Sequence, residues 1–282
     1  MSQHKEPLGF VTFAQNTTEV DYLELAYLQA LNIKATQKNN RYAVIVDAAT
    51  REKINDHHLC TFDYIIDLPW DYNDPANDRK FANEWQAFYL TPFKETIKLE
   101  SDLLFTRSID HWLPAFRLRD VCLSTGAKTY QGKLSATRQY REVFDSNNLP
   151  DVYNGLMYFR YSQLATEFFQ TAHQVFTNWS SIKDILKNCR EDTPSTDVLY
   201  AVTALLVGPE LTAMPTMDFI NFVHMKSGIQ GWSDTHTWLE TVVAERDGDM
   251  IRINNLNQLD PVHYYDKNYA TPELVKYYES RH

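Results

Sequence analysis

Two carboxylates one residue apart interrupt an apolar segment in the first half of the chain. Glu100 and Asp102 follow Ile97 and Leu99, and an apolar run over 103–105 resumes directly behind them. Ile97 and Leu99 alternate with polar neighbours, as in a half-buried strand. In extended chain the side chains at i and i+2 point to one side. Buried acids need a partner, and a hard divalent cation such as Mg²⁺ or Mn²⁺ would satisfy both.

The same residues also suit a strand that ends in a turn with two solvated acids. Short acidic pairs are common by chance. The pair therefore becomes a metal-site hypothesis only if other parts of the chain supply further ligands and a substrate.

Composition limits the class of protein. The chain has 282 residues, 44% of them hydrophobic, which indicates a globular protein of one large domain or two small ones. Its net charge of -10 argues against a surface that binds nucleic acid or anionic membrane over its whole extent. Its 3 cysteines lie far apart and predict neither a disulfide framework nor a zinc site. A reducing, cytoplasmic location is expected, because neither a signal peptide nor a membrane span is recognisable.

Strand-like and helix-like segments alternate up to the acidic pair. Apolar runs predict strands over 8–13, 41–46 and 62–68, with a fourth leading into Glu100, and helical spacing predicts helices over 20–33, 51–57 and 81–90. This order is typical of a parallel sheet with right-handed crossovers. Ligands of such sheets bind at the carboxyl ends of the strands, where polar loops follow here. Neither a glycine-rich dinucleotide fingerprint nor a Gly-Lys-Ser/Thr phosphate loop is present.

The acidic segment resembles a family of enzymes. From Leu99 to Asp110 the chain reads LESDLLFTRSID, similar to the LDxDxLvxxxID segment of GT-A fold nucleotide-sugar glycosyltransferases, and in particular of the glycogenin-like family 8. Glu100 stands where that family has Asp. The resemblance implies an α/β fold of the GT-A (Rossmann-like) type, with a mostly parallel sheet flanked by helices in a single domain. That domain would span 1–282, with a core over about 8–232 and a C-terminal extension over 233–282.

Three later segments match the family in order. Tyr153-Asn154-Gly155 resembles its strand near the donor sugar, and the run from Pro194 to Asp197 resembles a helix start that places an acid or amide at the reacting carbon. The run from His224 to Trp232 resembles H-x-x-G-x-x-K-P-W, which carries the third metal ligand and diphosphate contacts. Gln230-Gly231 replaces the family's Lys-Pro. The resemblance implies metal ligands Glu100, Asp102 and His224, catalytic residues Asn154 and Asp197, and donor contacts Gly155 and Gly228. Lys226 does not match the family's lysine, and we expect it to contact the diphosphate from a different position.

The expected reaction is metal-dependent transfer of a sugar from a nucleoside-diphosphate sugar, above all a UDP-sugar. Mn²⁺ or Mg²⁺ would neutralise the diphosphate leaving group, and Lys226 would add positive charge. We expect the base and ribose to contact residues near the strand ends: Gln15, Asn16, Thr17, Tyr22 and Asp47. Each residue has a simpler alternative. His224 suits a structural histidine, Asp197 the first turn of a helix, Asn154-Gly155 a turn, and Tyr22 the core.

The segment from Arg107 to Arg141 is unusually basic. It carries seven basic residues and two acids, within a chain of net charge -10. The basic residues are Arg107, Arg117, Arg119, Lys128, Lys133, Arg138 and Arg141, with Tyr130 and Tyr140 among them. Cations for phosphates and aromatics for bases would suit a nucleic-acid acceptor, such as a modified base in viral DNA. The alternative is a solvated segment that pairs with acids elsewhere.

Other functions stay open at this point. The acceptor could be a saccharide, a protein or a lipid-linked compound, or the chain could bind a nucleotide sugar or a partner without catalysis. A metal-dependent hydrolase would also use acids with a histidine. Beyond Trp232 the pattern predicts a helix over 235–245, an edge strand over 250–253 and a terminal helix, without an assigned function.

Overall fold

The computed structural model describes residues 5–73, 82–214, 220–226 and 238–281. The predicted Gly228, Gln230-Gly231 and Trp232 lie outside the described residues. The strands are β1 (Glu6–Ala14), β2 (Tyr42–Val46), β3 (Tyr64–Asp67), β4 (Phe93–Leu99), β5 (Leu103–Leu104), β6 (Val121–Leu123), β7 (Leu156–Arg160), β8 (Val223–His224), β9 (Ala244–Asp247), β10 (Met250–Ile253), β11 (Leu256–Gln258) and β12 (Val262–His263).

The helices flank these strands. They are α1 (Tyr22–Thr36), α2 (Ala48–Arg51), α3 (Asp56–Thr61), α4 (Ala87–Leu90), α5 (Leu113–Phe116), α6 (Glu142–Ser146), α7 (Gln163–Thr177), α8 (Trp179–Ile185), α9 (Thr196–Val207), α10 (Pro209–Thr212), α11 (Trp238–Thr241) and α12 (Pro272–Glu279). Short 3₁₀ turns occupy Glu84–Gln86, Asp110–Trp112, Thr137–Gln139 and Lys267–Tyr269. Within the described ranges, no helix combines the length and apolarity needed to cross a bilayer.

The central sheet has six strands in the order β3-β2-β1-β4-β7-β6. The first four run parallel, and β7 pairs antiparallel with both β4 and β6. The sheet separates two apolar cores, because alternate side chains of each strand point to opposite faces. On β1, Phe10 belongs to the core that packs under α1, whereas Val11 belongs to the core under α7 and α9. The expected mixed sheet flanked by helices is confirmed.

Several sequence predictions need correction. The helix expected over 51–57 is two short helices, α2 and α3, capped separately by Asp47 and Asn55. The helix expected over 235–245 is helical only over α11 among its described residues, and β9 begins at Ala244. The strand over 250–253 is the centre, not the edge, of an antiparallel sheet in the order β11-β10-β9. A sequence pattern cannot show which neighbours pair with such a strand.

The C-terminal segment returns to the acidic pair through a third, small sheet. Its order is β5-β12-β8, so β12 lies between the strand behind Asp102 and the strand of His224. The backbone N–H of Tyr264 donates to the carbonyl oxygen of Asp102 at 3.0 Å. Residues close to the C-terminus therefore help to fix the loop that carries both acids.

Gln29 of α1 holds the acidic loop from the other side. Its side-chain amide donates to the carbonyl oxygens of Glu100 at 2.6 Å and Leu103 at 2.8 Å. Its own carbonyl oxygen accepts from the Tyr42 hydroxyl at 2.9 Å. Because Gln29 is fully buried, these groups have no water to replace it.

Replacing Gln29 with leucine should destabilise the fold. Gln29→Leu keeps the volume but leaves two carbonyl oxygens and a hydroxyl without their partner, and each such loss costs about 1–3 kcal/mol. We expect the free energy of unfolding, measured by urea denaturation, to fall by about 3 kcal/mol or more. Tyr42→Phe is the matched control. It leaves one buried acceptor, the Gln29 carbonyl oxygen, without its donor and should cost about 1–3 kcal/mol, less than Gln29→Leu, because both loop contacts remain. Equal losses in the two variants would show that the loop contacts contribute nothing.

Candidate active site

A cavity of about 640 Å³ opens at the carboxyl ends of β1 and β4. Phe13 and Gln15 line it from the end of β1, and Leu99, Glu100 and Asp102 line it from the end of β4. Ligands of parallel α/β sheets bind at this edge. The cavity thus lies where the strand pattern predicts a ligand site.

His263 meets both carboxylates in this cavity. Its Nε2 lies 3.1 Å from an oxygen of Glu100 and 3.0 Å from an oxygen of Asp102. The strand register explains the encounter, because β12 pairs antiparallel with β5 and sets His263 opposite Leu103. Among the described residues, Glu100, Asp102 and His263 form the one group of acids and histidines with ligand atoms close enough to share a metal ion.

The charges of this cluster depend on one another. Burial opposes the ionised form of Asp102, yet His263 and Lys267 hold the pKa of this carboxyl well below its usual range. Burial lowers the pKa of His263, but the carboxylates of Asp102 and Glu100 outweigh it and the net shift is upward. For Glu100, burial dominates and raises the pKa. Asp102 is therefore held in its ionised form, whereas the raised pKa values of Glu100 and His263 favour their protonated forms.

The donor set fits a hard divalent cation. Two carboxylates and one imidazole nitrogen converge, and the imidazole nitrogen faces the carboxylate oxygens directly. Oxygen donors with a single imidazole suit Mn²⁺ or Mg²⁺ rather than a thiolate-seeking metal. Glu100, Asp102 and His263 would hold the ion.

Two lysines flank the same end of the cavity. Lys267 forms an ion pair with Asp102, and both Lys226 and Lys267 line the cavity wall. The ring of Tyr265 lies between them, with Lys226 Nζ at 5.6 Å and Lys267 Nζ at 5.3 Å from its centroid. Burial lowers the pKa of Lys267, but Asp102 outweighs this and raises it, so the ammonium stays charged. Positive charge is thus concentrated beside the acids.

His224 does not face the carboxylates. Its Nδ1 lies 2.8 Å from Nδ1 of His263, so His224 sits behind the histidine that meets the acids. Burial and the neighbouring His263 hold the pKa of His224 well below its ordinary value, which keeps the ring neutral. The structure thus puts His263 in the position that the sequence analysis gave to His224, and His224 as a direct ligand remains only a prediction.

Asp197 lines the cavity and contacts Asn154, which does not line it. One Asp197 oxygen accepts from the backbone N–H of Asn154 at 2.7 Å, and the other accepts from Arg141 at 3.1 Å. Burial raises the pKa of Asp197, although Arg141 opposes this. Gly155 lies outside the cavity lining. Its carbonyl oxygen accepts from the backbone N–H of Glu100 at 3.1 Å, which anchors the acidic loop.

A buried ion pair lies under this part of the cavity. Lys98 of β4 contacts Glu84, which lines the cavity and also accepts from the Asn154 side chain at 2.6 Å. Burial lowers the pKa of Lys98 to about 8. Sequence reasoning missed this pair because the two residues lie 14 positions apart and only the fold brings them together.

The residues predicted for the base and ribose divide into two groups. Gln15 and Tyr22 line the cavity. Asn16 instead accepts from the backbone N–H of Leu23 at 2.9 Å, near the start of α1. The other two, Thr17 and Asp47, hold local turns through Val20 and Thr50, although Asp47 also accepts from Gln15 at 3.4 Å.

Most basic side chains of the segment from Arg107 to Arg141 form contacts within the chain. Arg141 pairs with Asp197 and Glu191, and Arg138 pairs with Asp151. Arg107, Arg117, Arg119, Arg138 and Arg141 contact groups of the chain itself. Lys128 acts on Asp260, because burial raises the pKa of that carboxyl and the charge of Lys128 opposes this shift. The alternative given for this segment, a solvated segment that pairs with acids elsewhere in the chain, therefore describes it better than a surface for polyanions.

Comparison with known proteins places the fold. No protein-family model and no curated protein matches the chain. Among solved structures, an active-site variant of LgtC aligns with a TM-score of 0.50 and 11% identity over 96% of this chain and 94% of that one. The chain has the GT-A fold. The likeness to family 8 that the sequence suggests is confirmed at the level of this fold.

Other solved structures align less closely. The WbbM bifunctional glycosyltransferase has a TM-score of 0.46 and 11% identity over 81% of this chain, which spans only 41% of that one. Mouse xyloside xylosyltransferase 1 has a TM-score of 0.46 and 10% identity over 75% of this chain and 85% of that one.

Sequence reasoning missed His263 and Lys267. The sequence carried a weak signal for them. An apolar residue, Val262, precedes His263, and a lysine follows four residues later. The pattern of the family 8 enzymes that the sequence resembles also has a histidine followed by a lysine. His224 with Lys226 was another such pair, and only the pairing of β12 with β5 distinguishes the two.

The Arg141 contacts predict a stability difference between two arginines. Arg141→Gln leaves Asp197 and Glu191 without their cation in a site where the Arg141 side chain is only 19% exposed. We expect the free energy of unfolding to fall by about 2–3 kcal/mol. Arg117→Gln breaks a pair with Glu95 in which the arginine side chain is 47% exposed, and should cost about 1 kcal/mol or less. Urea denaturation of both variants tests this, and a larger loss for Arg117→Gln would contradict it.

Proposed function

We propose that the protein is a glycosyltransferase that moves a sugar from a nucleoside-diphosphate sugar to an acceptor hydroxyl. The observation that carries the proposal is the cavity at the carboxyl edge of a GT-A sheet, where two carboxylates, a histidine and two lysines converge. Anionic diphosphate needs concentrated positive charge, and this end of the cavity supplies it.

The proposed roles follow from position. Glu100, Asp102 and His263 would hold Mn²⁺ or Mg²⁺, and the ion would act as a Lewis acid toward the diphosphate leaving group. Lys267 and Lys226 would contact the diphosphate oxygens and stabilise the charge that develops as the bond to the sugar breaks. A UDP-sugar is the donor that we propose, with Gln15 and Tyr22 on the nucleoside side.

Asp197 and Asn154 would lie on the sugar side of the donor. Asp197 lines the same cavity as Glu100, Asp102 and His263, and its two oxygens are oriented by Asn154 and Arg141. A carboxylate held in this way can bind sugar hydroxyls or face the reacting carbon without rotating. We propose both residues as catalytic candidates, and Asp197 as the closer of the two to substrate because it lines the cavity.

A neutral hydroxyl acceptor suits the cavity rim better than a nucleic acid. Arg141, the basic-segment residue that lines the cavity, is engaged by Asp197 and Glu191, and the rim also carries Tyr140 and Ser195. Acids, hydroxyls and aromatic faces bind sugar rings well, and an arginine already paired with two acids offers little charge to the phosphates of a nucleic acid. The acceptor that we propose is therefore a saccharide, or a protein or lipid-linked group with an available hydroxyl.

Nucleotide sugars should stabilise the protein in a metal-dependent way. A UDP-sugar at 100 times its Kd, with Mn²⁺ present, adds about 2.7 kcal/mol of stability and should raise Tm by about 5 °C or more. Thermal melting with a panel of nucleotide sugars, with and without Mn²⁺, measures this. Asp102→Asn should abolish the Mn²⁺-dependent part, whereas Asp192→Asn, an exposed acid paired with Lys183, should keep it.

The control outcomes separate the alternatives. A shift for every nucleotide, with or without metal, would argue against the proposed donor site. A specific, metal-dependent shift without release of UDP, across a set of saccharide, protein and lipid-linked acceptors, would indicate a binding protein rather than a transferase.

Lys267 should discriminate between diphosphates and nucleosides. Lys267→Met removes a charge-assisted contact worth about 1.5–3 kcal/mol, so the Kd for UDP should rise about tenfold or more. The Kd for uridine should stay within a factor of about two, because the nucleoside has no phosphate to lose. Lys276→Met, a substitution on α12, is the matched control for loss of one positive charge. Calorimetric titration tests both ligands, and equal loss for uridine and UDP would contradict the assignment.

A further inference from the structure

Resting on the metal site proposed above, we infer that His224 is a positioning residue for His263. Through its Nδ1 it fixes the ring of His263 so that Nε2 points at Glu100 and Asp102. His224 then touches neither the metal nor the substrate. It acts on metal affinity through the histidine in front of it.

The backbone places the two rings side by side. β12 and β8 pair in parallel, and the register sets His263 directly beside His224. Neighbouring strands lie about 4.8 Å apart. The ring planes differ by only 5° with centroids 4.9 Å apart, and the two Nδ1 atoms are 2.8 Å apart. That separation is a hydrogen-bond length, so the rings meet edge to edge.

A metal-binding histidine needs a partner on its other nitrogen. When Nε2 carries the lone pair toward a metal, the proton of the neutral ring is on Nδ1, and that N–H requires an acceptor. In most metal sites the acceptor is a carboxylate, a backbone carbonyl or water. Among the described residues, the side-chain contacts found for Nδ1 of His263 are with Nδ1 of His224 at 2.8 Å and, at the longer distance of 3.3 Å, with the hydroxyl of Tyr153.

The surroundings of His224 point to the same role. The side chain is fully buried, and its Nε2 has no hydrogen-bond partner among the residues that the structure describes. The contact with His263 is thus the one side-chain hydrogen bond found for this ring within the described ranges. If Nδ1 of His224 accepts the hydrogen bond, the proton of this neutral ring is on Nε2. The Nε2–H group then lacks an acceptor, which is unfavourable for a buried donor, so the arrangement favours the contact between Nδ1 and His263 over one at Nε2.

Two substitutions separate positioning from packing. His224→Leu fills the space but offers no acceptor, whereas His224→Asn keeps a polar amide near the position of Nδ1. We expect the Kd for Mn²⁺ to rise about 10–100-fold in His224→Leu and to recover most of that loss in His224→Asn. The measurement is calorimetric titration of the full chain with MnCl₂ and no nucleotide. His58→Leu removes another buried histidine, one that does not line the cavity, and should leave the Kd within about twofold.

The outcomes distinguish this inference from the proposed function. A folded His224→Leu variant that binds Mn²⁺ as tightly as the unmodified protein overturns it. Failure of the unmodified protein to bind Mn²⁺ overturns the metal site and this inference together. If Mn²⁺ binds and His224→Leu weakens it while no sugar is transferred, the inference stands and the transferase proposal fails.

A second measurement needs no substitution and applies even if His224→Leu does not fold. In the ¹⁵N-labelled protein loaded with diamagnetic Mg²⁺, a hydrogen bond between the two Nδ1 atoms should give a scalar coupling between these nitrogens. The proton should be on Nδ1 of His263 and on Nε2 of His224. A His263 ring that keeps its proton on Nε2 with Mg²⁺ bound, or no coupling between the rings, overturns the inference.

Discussion

The pairing of β12 with β5 is the contact on which the candidate site depends. It brings a histidine from position 263 against two acids at positions 100 and 102, across most of the length of the chain. The strands are only two residues long, so their backbone hydrogen bonds alone are weak. The Gln29 side chain and the N–H of Tyr264 reinforce the loop from opposite sides. Geometry at the acids is therefore set by long-range contacts rather than by the local sequence.

Charge balance explains why such a loop can be buried. Asp102 is neutralised by Lys267 and His263, and Asp197 by Arg141. An isolated carboxylate in these positions would protonate or unfold the site. A divalent cation between Glu100, Asp102 and His263 would displace the proton that their carboxylates favour on the imidazole. Because Arg141 is paired with Asp197 and Glu191, its charge is not available to bind a polyanion.

The sequence predicted the strands and helices better than the residues of the candidate metal site. Alternation and helical spacing located β1 to β4 and α1, because buried strands and long helices carry strong local patterns. The acidic pair was visible for the same reason, since two acids in an apolar run are conspicuous. The histidine that faces the acids was not, because His224 and His263 have similar local settings, and each is followed by a lysine. Glu84 and Lys98 were also missed, since neither has a local signal of burial.

The sequence by itself determined the α/β class, the order of the first strands, and the likeness of the acidic segment to GT-A enzymes. It also supplied Glu100, Asp102, Asn154 and Asp197 as candidates. Only the tertiary structure decided which histidine faces the acids, which lysines flank them and which acids pair with the basic segment. The physical reason is strand register: pairing between distant strands chooses among similar residues, and no local pattern encodes that choice.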